Sequence, residues 1–240
     1  MALHKRWNKE QIPPVAAVVP AAGRATRMQG LDKLFLELDG VPIIIHTLRA
    51  LSAHPEISEI VIPTREDCIA SIASLCREFE IAKVSQIVRG GDTRTESVLL
   101  GLRAVSKRCP LVAIHDAARP FVTERVISDA IAAARKYSAA APAVPVTDTV
   151  KEQSGGIVVK TVDRDRLSAV QTPQIFDREM ILAALSHVQS CGIPVTDDCS
   201  AAEAVGMRVV LTPGDPLNRK ITTPEDFILA SAILEHRRSI

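Results

Sequence analysis

Cationic side chains follow the first apolar run of this chain closely enough to bind a polyphosphate. The run 15–19 ends in the small residues 20–23, and Arg24, Arg27 and Lys33 come next. Backbone N–H groups of a tight turn can approach phosphate oxygens, and such side chains neutralise their charge. The glycine spacing of a Walker A loop or of a dinucleotide fingerprint is absent. The segment therefore predicts a phosphate-binding turn of another kind, with an ordinary surface turn as the alternative.

A lone carboxylate and a glycine turn follow two later apolar runs. Asp116 comes after His115 at the end of one run, and Gly90-Gly91-Asp92 follows the other. A carboxylate near cations suits a metal-bound nucleoside triphosphate, because Mg²⁺ takes one or two carboxylates together with phosphate oxygens. Taken singly, each feature has a plainer interpretation: Asp116 as a helix cap, the glycines as a turn, and His115 as a hydrogen-bonded structural histidine.

The elements that must position these residues alternate between short apolar runs and helical patterns. This alternation predicts βαβ units and a largely parallel sheet, in which ligands bind at the carboxyl ends of the strands. The predicted strands cover 15–20, 59–64, 83–88, 111–115, 140–146 and 208–212. The predicted helices cover 43–53, 66–79, 93–106, 124–136, 178–190 and 224–238.

One segment departs from this alternation. The partly alternating runs 147–153 and 157–163 are separated by Ser154-Gly155-Gly156, which predicts a β-hairpin with a glycine turn. A two-stranded hairpin is only marginally stable alone in water. We therefore expect it to pack either on its own domain or on a partner subunit.

Composition narrows the class of ligand. A chain of 240 residues that is 47% apolar and 24% charged can form one large α/β domain or two small ones. Its formal net charge of +1 indicates no broad basic face, so a small anionic ligand fits better than nucleic acid.

The sequence also contains features that indicate the cellular compartment. Neither a secretory signal nor an apolar run long enough to span a bilayer is visible, so a cytoplasmic protein with no membrane partner is expected. The five cysteines include no Cys-x-x-Cys pair, which suits a reducing compartment.

Motifs along nearly the whole chain after residue 14 carry a family resemblance. They are Pro20-Ala21-Ala22-Gly23 with Arg27-Met28 and Lys33, Gly90-Gly91-Asp92-x-Arg94-x-x-Ser97-Val98, His115-Asp116-Ala117-Ala118-Arg119-Pro120, Val146-x-Asp148-Thr149-x-Lys151, Thr161-Val162-Asp163-Arg164, Gln171-Thr172-Pro173-Gln174-x-Phe176, Thr196-Asp197-Asp198 and Lys220-Ile221-Thr222-x-Pro224-Glu225-Asp226. In type and order they resemble the 2-C-methyl-D-erythritol 4-phosphate cytidylyltransferase family. The motifs His115-Asp116-Ala117-Ala118-Arg119-Pro120 and Thr172-Pro173-Gln174 are the most specific. The chain departs from the family between Gly23 and Lys33, where Ala25 replaces a common glycine and the loop is one residue shorter.

The resemblance implies an architecture and a reaction. The fold would be α/β, a single Rossmann-like nucleotidyltransferase domain over 1–240 with a mostly parallel sheet and a projecting β-hairpin arm. Residues 1–14 would be a flexible N-terminal extension, and the arm, residues 147–165, would join a homodimer. The enzyme would transfer CMP from CTP to a polyol phosphate, 2-C-methyl-D-erythritol 4-phosphate, releasing pyrophosphate with the help of Mg²⁺ or another divalent cation.

The resemblance also implies roles for individual residues. The catalytic cations would be Arg27, Lys33, Arg164 and Lys220, and Asp116 would hold the metal. The nucleotide would contact Pro20, Ala21, Ala22, Gly23, Gly91, Asp92 and Ser97. The polyol phosphate would contact Arg119, Thr149, Thr172 and Thr196. Thr149 and Arg164, on the arm, would act in a site shared across the dimer, with Lys220 as a further candidate.

Two alternative functions stay open at this point. A ribitol 5-phosphate cytidylyltransferase would share the CTP residues and differ at the polyol. A noncatalytic CTP-binding dimer would be expected to lose Lys33 or Asp116, and both are present.

Overall fold

Helices and strands alternate between residues 41 and 145, as the sequence predicts. The structure is a computed structural model that describes residues 13–23 and 34–238. The strands are β1 Val15–Val18, β2 Glu37–Leu38, β3 Val41–Pro42, β4 Ile57–Thr64, β5 Val84–Arg89, β6 Leu111–Ile114, β7 Ala139–Pro145, β8 Lys151–Ser154, β9 Ile157–Thr161, β10 Ser168–Val170, β11 Gln174–Asp177 and β12 Val210–Pro213. The helices are α1 Ile43–Ala53, α2 Ile69–Glu78, α3 Arg94–Ala104, α4 Glu124–Tyr137, α5 Arg178–Cys191, α6 Asp198–Ala204 and α7 Pro224–Arg238.

The central sheet is mostly parallel, as predicted. Among the described residues, eight strands form one sheet in the order β10-β7-β11-β6-β1-β4-β5, with β12 also paired to β7. Strand β1 lies between β4 and β6, and all three are parallel. Strands β10 and β11 run antiparallel to their neighbours. The sequence did not indicate these two strands, because each is short and, unlike β1 and β6, neither is a continuous apolar run.

Complete burial explains the apolar run that forms β1. Val15, Ala16, Ala17, Val18 and Val19 are all fully buried, as expected for a parallel strand covered on both faces by helices. Helix α3 packs closely on this strand, since a Cβ built at Gly101 would lie 2.6 Å from Val18 Cγ1. The first strand is thus a rigid base for the residues that follow it.

The helix bounds agree closely with the sequence pattern. Helices α1 and α7 begin and end at the predicted residues, and the predicted helix 66–79 begins with a 3-10 turn at Glu66–Cys68 before α2. Short α6 was not predicted, because seven residues give too little periodicity. Its start is nevertheless well defined: the Asp197 side chain accepts a hydrogen bond from Ser200 N.

Strands β8 and β9 form a separate two-stranded sheet, which confirms the predicted hairpin. Gly155 and Gly156 both have positive φ, +57° and +82°, as the tight two-residue turn requires. Every residue of both strands is exposed, including the apolar side chains of Ile157, Val158 and Val159. The hairpin therefore projects from the domain.

No helix within the described residues has both the length and the apolar character that crossing a membrane would take. Of the predicted N-terminal extension, residues 1–12 lie outside the described residues, as do Arg27 and Lys33.

Candidate active site

A cleft of about 690 Å³ opens at the carboxyl ends of the parallel strands. The loops after β1, β5 and β6, which the sequence singled out, line it together. Lys220, from the loop before α7, and residues 65–67 after β4 complete the wall. No sequence pattern had indicated residues 65–67. The lining among the described residues is Pro20, Ala21, Ala22, Gly23, Leu34, Arg65, Glu66, Asp67, Arg89, Gly90, Gly91, Asp92, Thr93, Arg94, Ser97, Asp116, Ala117, Ala118 and Lys220.

The turn after β1 is held against β4. Ala21 N donates to the Pro63 carbonyl at 2.8 Å, and the Thr64 hydroxyl donates to the Ala21 carbonyl at 3.2 Å. Pro20, Ala22 and Gly23 continue along the cleft. These contacts fix the backbone that the sequence predicts to face the nucleotide.

The glycine turn after β5 approaches the first turn closely. A Cβ at Gly90 would lie 2.7 Å from Ala22 Cβ, so only glycine fits there without displacing a neighbour. The Ser97 hydroxyl accepts from Gly91 N at 3.1 Å and donates to the Thr93 carbonyl at 2.9 Å. Ser97, predicted to contact the nucleotide, thus also holds the turn that carries Gly91 and Asp92.

Asp116 is the charged centre of the cleft. Its Oδ2 lies 3.1 Å from Lys220 Nζ and 3.2 Å from Arg119 Nε, and its Oδ1 lies 3.7 Å from an Arg94 Nη. Burial alone raises the pKa of this carboxyl, but the charges of Lys220, Arg94 and Arg119 outweigh it and hold the pKa well below its usual range. Asp116 is therefore an anion at neutral pH.

Arg94 and Asp198 are site residues for which the sequence analysis assigned no role. Arg94 Nη2 donates to Asp198 Oδ2 at 2.7 Å, and Asp198 is fully buried. Burial raises the pKa of Asp198, and the guanidinium of Arg94 opposes that rise. Because the two residues are 104 positions apart, only the fold reveals the pair; both belong to motifs of the family resemblance.

His115 and Thr172 form a hydrogen-bonded support behind Asp116. The Thr172 hydroxyl donates to His115 Nδ1 at 2.9 Å and accepts from Asp116 N at 3.1 Å. His115 Nε2 then donates to the Arg119 carbonyl at 3.1 Å, which confirms the structural role expected for this histidine. Thr172 is buried and among the described residues does not line the cleft, so its predicted contact with the polyol phosphate stays a prediction.

Because His115 is buried and neutral, we expect the free energy of unfolding to depend on pH. Burial lowers the pKa of His115 to about 4, so between pH 4 and 6.5 the unfolded chain binds more protons than the folded one. The free energy of unfolding must therefore decrease as the pH falls through this window. We expect His115→Gln to remove about 2 kcal/mol of the wild-type decrease between pH 7 and pH 5.

Urea unfolding at the two pH values measures this difference. His187→Gln, at an exposed histidine, is the matched control and should keep the wild-type decrease. An unchanged pH dependence in His115→Gln would show that folding does not shift the pKa of His115.

Buried Asn218 holds the loop that carries Lys220. Its Nδ2 donates to the Thr172 carbonyl at 2.9 Å, and its main-chain carbonyl accepts from Arg119 Nη1 at 2.8 Å. On the other side of Lys220, Ile221 N donates to the carbonyl of Ala118 at 2.8 Å. Lys220 is thus placed between two fixed residues with its ammonium at Asp116.

Five described residues with a predicted site role do not line the cleft: Arg119, Thr149, Arg164, Thr172 and Thr196. Of these, Thr149, Arg164 and Thr196 are exposed. Arg164 Nη1 donates to the Thr147 carbonyl at 2.7 Å, at the base of the hairpin. Their roles stay predictions, and those of Arg27 and Lys33 do too, because these two lie outside the described residues.

Comparisons with known proteins agree on one family. The family model for 2-C-methyl-D-erythritol 4-phosphate cytidylyltransferase matches residues 15–236. A relative of that name from Bacillus cereus is 44% identical over 219 residues, covering 90% of this chain and 96% of its own. Another, from Halalkalibacterium halodurans, is 43% identical over 223 residues, covering 92% and 97%. The crystal structure of 4-diphosphocytidyl-2C-methyl-D-erythritol synthase from Anaerococcus prevotii superposes with a TM-score of 0.83 at 32% identity, covering 93% of this chain and 96% of its own.

Proposed function

Because the chain belongs to the 2-C-methyl-D-erythritol 4-phosphate cytidylyltransferase family, we propose that it transfers CMP from CTP to 2-C-methyl-D-erythritol 4-phosphate. Pyrophosphate leaves, and the product is 4-diphosphocytidyl-2-C-methyl-D-erythritol, a precursor in non-mevalonate isoprenoid synthesis. The observation that carries this proposal is the ionised Asp116 among three cations at the carboxyl ends of the strands.

The reaction requires that the two substrates be positioned and that developing negative charge be stabilised; it does not require a protein nucleophile. A phosphate oxygen of the polyol phosphate attacks the α-phosphorus of CTP in line, and the bond to pyrophosphate breaks. Negative charge grows on the oxygens around phosphorus, and fixed cations stabilise it most when they are already in place. Lys220 meets this condition, because its loop is anchored on both sides. Arg27 and Lys33 are proposed to act at the triphosphate.

A divalent cation is part of the proposal, and Asp116 is the residue that would hold it. A carboxylate that stays ionised and lines the cleft is a suitable hard oxygen ligand. Among the described residues no group of three His, Cys, Asp or Glu side chains surrounds a common point. The other ligands would therefore be phosphate oxygens and water, as is usual for Mg²⁺ with nucleotides. When bound, the cation would neutralise the triphosphate charge that builds up as pyrophosphate leaves.

The nucleotide is proposed to lie along the two turns that approach each other. Pro20, Ala21, Ala22 and Gly23 form one side and Gly91, Asp92 and Ser97 the other. Backbone N–H groups there can bind phosphate or base atoms without a side chain intervening.

The hairpin is proposed to act in a second subunit of a homodimer. Ile157, Val158 and Val159 are 75%, 57% and 60% exposed. Exposed apolar strands favour association with another chain. Covering them with another copy would bury this surface. It would also bring Thr149 and Arg164 to a neighbouring cleft, where, with Arg119 and Thr196, they would orient the polyol phosphate.

A cytoplasmic location belongs to the same proposal. All five cysteines are free in the structure, and Cys68, Cys76, Cys109 and Cys199 are buried. Free thiols suit a reducing compartment, in which CTP and sugar phosphates are also found.

A comparison of acceptors tests the substrate. We expect pyrophosphate release with CTP, Mg²⁺ and 2-C-methyl-D-erythritol 4-phosphate to have a kcat/KM at least about 100-fold above that with ribitol 5-phosphate. Preference for ribitol 5-phosphate would assign the enzyme to that relative instead. CTP binding with no pyrophosphate release in the presence of either acceptor would indicate a noncatalytic protein.

A further inference from the structure

Arg94 lies between two carboxylates and binds them unequally. Its Nη2 is 2.7 Å from Asp198 Oδ2, a charge-assisted hydrogen bond, but 3.7 Å from Asp116 Oδ1. The second distance is too long for a hydrogen bond. The contacts of Lys220 and Arg119 both fall on the other oxygen of Asp116, Oδ2. Oδ1 is thus the oxygen of Asp116 that Arg94 approaches without binding.

Asp198 is built to hold Arg94 firmly. Its side chain is only 1% exposed, and its other oxygen, Oδ1, has no hydrogen-bond partner within the part of the chain that the structure describes. The Arg94 guanidinium therefore supplies the counter-charge for a buried anion, and separating the two would leave that anion unpaired. Gln174 holds the backbone that carries this carboxylate, because its Oε1 accepts from Asp198 N at 3.1 Å and from Cys199 N at 3.0 Å.

We propose that Asp198 is a positioning residue for the metal-holding carboxylate: by binding Arg94 it keeps the guanidinium off Asp116 Oδ1 and leaves that oxygen open to a divalent cation. This inference rests on the proposed function, in which Asp116 holds the cation. If Asp198 did not bind Arg94, Asp116 would have three cationic side chains within hydrogen-bond distance of its two oxygens. A metal ion would then have to displace a guanidinium before binding.

The distances make this competition realistic. Moving an Nη atom about 1 Å, from 3.7 Å to below 3 Å, would turn the Arg94–Asp116 approach into a direct hydrogen bond. Arginine side chains can make such a move by small rotations about several bonds. The charge of Asp198 is what opposes it. Neutralising Asp198 without changing its shape should therefore release Arg94 toward Asp116.

The test is the dependence of CTP affinity on metal, which does not require turnover. Isothermal titration gives the Kd of CTP in EDTA and in Mg²⁺, and the ratio of the two measures the contribution of the cation. In Asp198→Asn we expect this ratio to fall about tenfold, through weaker binding in Mg²⁺ and unchanged binding in EDTA. The double variant Arg94→Met with Asp198→Asn removes the competing guanidinium and should restore the wild-type ratio.

A matched control is Asp197→Asn, which makes the same substitution one residue earlier. Asp197 caps α6 and accepts from Gln174 Nε2 at 2.7 Å but has no hydrogen bond or ion pair with Arg94 among those of the described residues. It should leave the ratio unchanged. Far-UV circular dichroism confirms that each variant is folded.

The outcomes separate this inference from the proposed function. A wild-type CTP affinity that does not depend on Mg²⁺ would overturn the metal assignment itself. A metal-dependent wild type with an unchanged ratio in Asp198→Asn would overturn only the role of Asp198. A ratio that falls in Asp198→Asn and is not restored in the double variant would show that Asp198 merely supports α6.

Discussion

Asp116→Asn is expected to lower kcat for CMP transfer by on the order of 10³-fold. The substitution keeps the shape of the side chain and removes the one carboxylate proposed to hold the cation. It also removes the anion that draws Lys220 and Arg119 to one point, at 3.1 and 3.2 Å. CTP affinity in EDTA should be retained or improved, because three cations lose their counter-charge.

Steady-state pyrophosphate release and titration with CTP measure the two effects separately. Asp67→Asn is the matched control: this aspartate also lines the cleft, but its side chain is 73% exposed and pairs with Arg65. Its kcat should change by less than about threefold. A kcat within tenfold of wild type in Asp116→Asn would show that the cation is held elsewhere.

Mixing two inactive variants is expected to restore activity if the hairpin completes a neighbouring site. Asp116→Asn damages the cleft, and Arg164→Ala damages the arm. In a mixed dimer one site combines both defects, while the other combines an intact cleft with an intact arm. Random reassortment makes half of the dimers mixed, so the mixture should regain about a quarter of the wild-type activity.

Subunit exchange before the assay and size-exclusion chromatography of each variant are needed to interpret this result. The control is a mixture of Asp116→Asn with Lys220→Ala, because both residues line the same cleft of one chain. This mixture regains activity only if Lys220 of one chain acts in the cleft of its partner. An absence of recovery with Arg164→Ala, in dimers shown to exchange, would place Arg164 in its own subunit's site. A monomeric, active wild type would contradict the shared site altogether.

The parts of the site that the sequence predicted are those encoded locally. The continuous apolar run at 15–19 identified a buried strand, and the polar residues directly after such runs marked where ligands bind. Gly155 and Gly156 identified the hairpin, because adjacent glycines supply the positive φ that its turn needs. The loops carrying Gly91 and Asp116 met in one cleft because the parallel strands end at the same edge of the sheet.

The rest depends on contacts between distant residues. Arg94 and Asp198 are ordinary helix-start residues in sequence, and their 2.7 Å pairing exists only because α3 and α6 are brought together. The role of Thr172 is similar: its hydroxyl is used by His115 and Asp116 N, which no local pattern shows. Strands β10 and β11 are short and not continuously apolar, and they gain their stability from pairing with β7 and β6.

³¹P NMR of the reaction mixture shows whether CMP passes from CTP to 2-C-methyl-D-erythritol 4-phosphate. With wild-type protein, CTP, acceptor and Mg²⁺, we expect equimolar pyrophosphate and a new diphosphate diester, with no inorganic phosphate and no product from UTP at matched concentration. Release of inorganic phosphate, or an unchanged CTP spectrum with protein that binds CTP, would mean that the protein does not transfer CMP to this acceptor.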